Sequence, residues 1–209
     1  MNKKTVNHRS LSIIAGISYL IIFFSAVFAN FFVIASIQNE PLVTLQENQL
    51  MVRLGIMAFL LTVVFDVVVA WALQKLYHDH VLSSLSTYFR LMHAAIMGVS
   101  VYAIVECLSL SSEVEIIKHI DTFNTIWLIG LFFFGFHLIL LGQILKRPLL
   151  ISIFLIIAGC MYIIDTGAHF LLSDYKKYSS IFILLVAIPS VIGEMALAIW
   201  LLAKKDRIK

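Results

Sequence analysis

Five ionisable residues lie where a bilayer would put hydrocarbon: Asp66, Arg90, His93, His137 and Glu194, each inside a long apolar run. An isolated charge at the bilayer centre costs roughly 3 kcal/mol on insertion scales. Five together imply that they face one another inside a bundle. Their types allow several chemistries. Arg90 held between Asp66 and Glu194, with the histidines on carbonyls, would be structural, because buried charges must be paired and such pairs fix helix register. Two histidines and two carboxylates also match zinc or di-metal ligation. His93 and His137 would then bind the metal of a membrane hydrolase, with Asp66 or Glu194 as ligand or general base. No His-Glu-x-x-His or other compact ligand motif accompanies them. A polar pocket for a lipid head group or small amphipathic molecule is a third reading, and an ion or proton path is a fourth. A bis-histidine haem between His93 and His137 is a weaker variant of the metal idea.

The elements that must position these groups are membrane helices. The chain has 209 residues, 61% hydrophobic and only 13% charged, with mean hydropathy +1.00. A soluble domain carries about 25% charged residues. Six runs approach or exceed the ~20 residues that cross a bilayer, at about 11–36, 52–76, 84–109, 123–145, 148–172 and 179–203. These fit an all-α bundle occupying 1–209 as one transmembrane domain. The first run follows Lys3, Lys4 and Arg9 but is too long for a signal peptide, and no A-x-A site follows it. It reads as a retained first helix.

Depth along each run can be counted. At 1.5 Å per residue, Asp66 stands ~14 Å from Lys75, Glu194 ~15 Å from Lys204 and His137 ~14 Å from Lys146. His93 and Arg90 are three apart and share a helix face. Tyr19 reaches a similar depth on the first helix and could add a hydroxyl. Asp66, Arg90, His137, Glu194 and Tyr19 are therefore the candidate ligand-binding residues. A looser outer layer holds Arg53, Glu106, Asp165 and His169, with Asn30 at comparable height. Arg53 is expected to pair with Glu106 or Asp165, or to mark the mouth of a cavity.

Lysine and arginine in the short loops set orientation. One side has Lys3, Lys4, Arg9, Lys75, Lys146, Arg147, Lys204, Lys205, Arg207 and Lys209; the other has Arg53, Lys118, Lys176 and Lys177. Ten against four predicts both termini in the cytoplasm, with the chain in a cell inner membrane. The net charge of +3 is spread over helix ends as topology signals and does not imply nucleic acid. Trp71, Trp127 and Trp200 near helix ends are expected at the interfaces. Residues 110–122 read as an outer loop with a short surface helix, and Pro148 suits the first turn of the fifth span. Pro189 should kink the sixth span and free a carbonyl near Glu194. Cys107 and Cys160 read as small apolar residues. Ala94, Gly98, Gly130, Gly135, Gly142, Gly159 and Gly167 mark close helix approach, and Gly193 adjoins Glu194. The second and sixth spans echo each other in acid, tryptophan and lysine (Asp66, Trp71, Lys75; Glu194, Trp200, Lys204), too briefly to establish a transporter repeat.

One set of spaced residues resembles a known family. Arg9, Ala15-Gly16 and Tyr19 come first, then Arg53-Leu-Gly-Ile56, Asp66 and Phe89-Arg90. Phe133-Phe-Gly-Phe-His137 with Leu140-Leu-Gly142 is the most specific piece. Pro148, Gly159-x-x-Tyr162-x-x-Asp165, Gly193-Glu194 and Trp200 complete it. In order and spacing the chain resembles an uncharacterised bacterial six-helix integral membrane family, domain of unknown function 4386. The resemblance spans almost the whole chain, implies six helices and carries no established activity or cofactor. It includes Asp66, Arg90, His137 and Glu194 but not His93.

The expectation is thus a multi-pass protein whose intramembrane layer forms a pocket for a lipid-like or small amphipathic ligand. Membrane lipids are its natural partners. A metal-dependent hydrolase, a small proton-coupled transporter (as a homo-oligomer if one chain is too small for a path) and a purely structural layer are the alternatives.

Overall fold

The computed structural model describes residues 7–204. Lys3, Lys4, Lys205, Arg207 and Lys209, counted above for orientation, lie outside the described residues. A chain without water around it must satisfy its backbone internally, and every span here is helical. The first is α1 (His8–Val27), a π-helical stretch (Phe28–Ile34) and α2 (Ala35–Asn39) in one run. A short α3 (Pro41–Glu47) starts on Pro41, whose missing N–H is unneeded in a first turn. There follow α4 (Gln49–Leu76), α5 (Ser83–Cys107), α6 (Glu113–Ile144), α7 (Leu149–Leu171) and α8 (Tyr175–Ala203). Six helices are long and apolar enough to span a membrane, so the protein is an all-α, multi-pass bundle.

The long helices pack in chain order: α1 on α4, α4 on α5, α5 on α6, α6 on α7 and α7 on α8. Contact between α8 and α1 closes the ring. Arg9 ties that closure. Its guanidinium donates to the carbonyls of Leu201 (3.2 Å), Leu202 (2.7 Å) and Lys204 (2.5 Å). The first two are C-terminal carbonyls of α8 and the third is that of its C-cap residue, where a cation opposes the helix dipole. Arg9, read from sequence as a topology signal, is thus also a helix cap. It places the two ends of the bundle's chain on one side.

Small residues set the helix spacing. A Cβ on Gly135 would lie 2.7 Å from the Gly159 carbonyl oxygen, and one on Gly159 2.4 Å from that of Gly135. Backbones of α6 and α7 therefore touch directly beside His137. Gly16 gives α8 similar room, with Leu202 Cγ 2.7 Å from its ideal Cβ position. Gly167 meets nothing and is not an approach point.

Two apolar cores result. The one at the termini end draws on α1, α4, α6, α7 and α8, through residues such as Leu11, Leu73, Leu138, Leu155 and Leu197. The one at the opposite end draws on the π-helical stretch, α2, α3, α4, α5 and α6, through Val33, Ile37, Phe59, Ile104 and Ile120. It takes nothing from α7 or α8 among the described residues. The buried residues of α8 begin only at Pro189.

Four expectations change. The segment 110–122 is not a loop with a separate helix: α6 starts at Glu113 and runs 32 residues, about 48 Å at 1.5 Å per residue. Ile116 and Ile120 are buried in the far core, which is why the helix extends past the bilayer thickness. Pro148 caps α7 from outside instead of lying in its first turn. Trp127 is not an interfacial anchor; it packs inside against Phe59 and Phe123. The first span widens into a π turn where plain helix was expected.

Candidate functional site

Between the two cores lies a cavity of about 180 Å³, lined from six helices. Tyr19, Ile22, Phe23 and Ala26 come from α1, Thr62 and Asp66 from α4, and Arg90, His93 and Met97 from α5. Trp127, Leu131 and Phe134 come from α6, Tyr162 from α7, and Ser190, Val191, Glu194 and Met195 from α8. The polar level counted from sequence therefore exists in space.

Arg90 is its centre. It has no exposed surface. One terminal nitrogen donates to Asp66 Oδ1 at 2.5 Å. The other donates to the Tyr19 hydroxyl at 2.9 Å and to His137 Nε2 at 3.1 Å. The guanidinium also lies 4.8 Å from the Tyr19 ring centroid and 5.3 Å from that of Phe134. A buried guanidinium needs a counter-charge and acceptors for its fork of donors. Three other helices supply them, leaving only Nε without a partner.

His137 completes this knot from behind. With Nε2 accepting from Arg90, its proton belongs on Nδ1. That nitrogen sits 3.0 Å from the Ser86 carbonyl and 2.9 Å from the Ser86 hydroxyl. The tautomer follows from the hydrogen-bond network. Both ring nitrogens are occupied, and His137 is not part of the cavity wall. Ser86 was missed from sequence, although a signal was present. Ser83, Ser86, Thr87, Arg90, His93, Met97 and Ser100 follow the three-four spacing of one helix face, and all are buried.

His93 is the looser member. Its Nε2 is 3.7 Å from Asp66 Oδ2, beyond hydrogen-bond length, and its Nδ1 is buried without a partner. The ring lies against Phe134 at 4.7 Å between centroids. His93 and His137 do not converge on one point with the carboxylates. No group of three or more His, Cys, Asp or Glu among the described residues could hold a metal.

Glu194 departs most from the expected pairing. It was expected to share Arg90 with Asp66, yet no ion pair or side-chain hydrogen bond joins it to any described residue. Its neighbours on the wall are mostly apolar. Thr62 and Ser190 turn their hydroxyls to their own helices, at Ala58 (2.9 Å) and Val186 (2.6 Å). The Asp66–Glu194 echo in sequence therefore hides two different environments.

The outer layer does not assemble as one group. Arg53 is exposed and reaches Gln49 at 3.4 Å, with no ion pair to Glu106 or Asp165. Asp165 instead accepts from the Tyr175 hydroxyl at 2.6 Å, and the His169 ring packs 4.7 Å from that of Tyr175. This cluster ties α7 to the start of α8. Asn30 bonds its own helix at Ala26. Cys107 is a buried free thiol and Cys160 a half-buried one.

Residues 14–204 match the family described as Domain of unknown function (DUF4386). The chain belongs to that family. No curated protein and no solved structure matches it. Membership adds no activity, so the geometry alone carries the functional reading of this DUF4386 protein.

Proposed function

We propose that this protein holds a lipid-like or small amphipathic molecule in the cavity between its two cores. The observation that supports the reading is the cavity's position. It lies above the Arg90 polar knot and beside the halves of α7 and α8 that join no core. Ligand sites in membrane bundles gather polar groups on facing helices, with apolar walls for the remainder. Here Ile22, Phe23, Ala26, Val191 and Met195 supply apolar wall on α1 and α8. Val191 is 46% exposed, so this wall reaches the lipid-facing surface. An alkyl chain can enter sideways between α1 and α8 without crossing either core.

The Arg90 knot bears the structural part of the layer, and the cavity wall bears the binding part. Among the described residues no donor set supports the hydrolase reading. The orientation that fits the charge count puts both termini in the cytoplasm of an inner membrane.

The test is native extraction followed by lipid mass spectrometry. A stoichiometric amphipath should co-purify with the native protein and be lost from Ala26→Trp, which fills the cavity from α1. Equal lipid content in the two proteins would sink the proposal.

A further inference from the structure

The charge of the bound molecule can be argued from which wall groups remain reachable; this rests on the binding reading above. Arg90 suggests an anionic head group at first sight. Yet Arg90 is 0% exposed, Asp66 2%, Tyr19 1% and His93 4%. Arg90 and Asp66 neutralise each other at 2.5 Å. The knot therefore offers the cavity almost no accessible polar surface and no net charge.

Glu194 differs on each point. It is only half-buried, has no ion-pair partner among the described residues, and lines the same cavity. The accessible wall around it carries Phe23, Trp127 and Tyr162. A carboxyl group without an ion-pair partner among the described residues, in a cavity shared with aromatic rings, is the chemistry that recognises an ammonium group. An anion would gain no such contact at Glu194.

We propose that the molecule in the cavity is a cationic amphipath, its ammonium group against Glu194 and its alkyl chain leaving between α1 and α8. Octylamine, octanol and octanoate give matched probes: one chain length and three charges. Binding is read from the rise in unfolding temperature of the purified full chain in nanodiscs, since a ligand selective for the folded state stabilises it. The amine should bind about tenfold or more tighter than the alcohol, as a charge-assisted contact implies, and octanoate weakest. Glu194→Gln should remove the amine's advantage while leaving alcohol binding intact. Equal binding of amine and alcohol to the native protein overturns the charge assignment and leaves the cavity reading standing. Tightest binding by octanoate overturns it too. Should no probe separate native protein from Ala26→Trp, both proposals fail together.

Discussion

Arg90 and Glu194 line one cavity, yet their surroundings are opposite. Arg90 meets a carboxylate, a phenol and an imidazole from three other helices. Behind it the backbones of α6 and α7 come into contact at Gly135 and Gly159. Glu194 lines the cavity without a side-chain partner among the described residues, on a helix whose first half joins no core. The two walls teach that intramembrane charge is not one kind of evidence. A charge whose partners are all protein groups holds helices together. A charge left without partners keeps its capacity to interact with something else.

The comparison breaks most easily at Arg90. Arg90→Met should strand Asp66 as an uncompensated buried charge and cost about 3–5 kcal/mol of unfolding free energy in detergent. Adding Asp66→Leu should recover part of that loss, since removing both charges lifts the desolvation cost. A single variant as stable as the native protein would show that the knot is not structural.

Gly135→Ala tests the packing behind the knot. The added Cβ would fall 2.7 Å from the Gly159 carbonyl oxygen, and overpacking of this kind costs roughly 1–3 kcal/mol. Gly167→Ala, which meets nothing within 4 Å, is the control and should be silent in the same unfolding assay.

Tyr19→Phe removes one acceptor from Arg90 while keeping the ring beneath it. Hydrogen bonds between membrane helices average about 0.6 kcal/mol and reach about 1.7. Because the remaining donor–acceptor contacts to His137 and Asp66 persist, we expect a loss within that range. A loss the size of Arg90→Met would mean that the phenol, not the ion pair, anchors the knot.

Glu194→Gln should change stability least, by less than about 0.5 kcal/mol, because no protein contact is lost. A destabilisation comparable to that of Arg90→Met would assign Glu194 to the structural wall and erase the contrast between the two.

Much of this was legible in the sequence, for reasons that particular residues make clear. Rise per residue is fixed, so counting from Lys75, Lys146 and Lys204 placed Asp66, His137 and Glu194 at one level, and Tyr19 with them. Polar spacing on α5 could also have disclosed Ser86. Pairing was not legible. Arg90 could have reached Glu194 as well as Asp66 by depth alone. Likewise Trp127 lies near a helix end by count, yet α6 extends past it and the ring turns it inward.

The sequence by itself determined six membrane-spanning helices, the level of the polar groups and membership of the DUF4386 family. These follow from hydrophobic length and from spacing along single helices, which are local properties. Only the tertiary structure decided that Arg90 binds Asp66, Tyr19 and His137, that Glu194 has no partner among the described residues, and that a cavity lies between. Those outcomes depend on how each helix is rotated toward its neighbours. That rotation is set by contacts such as Gly135 on Gly159 and Arg9 on the end of α8, between residues far apart in the chain.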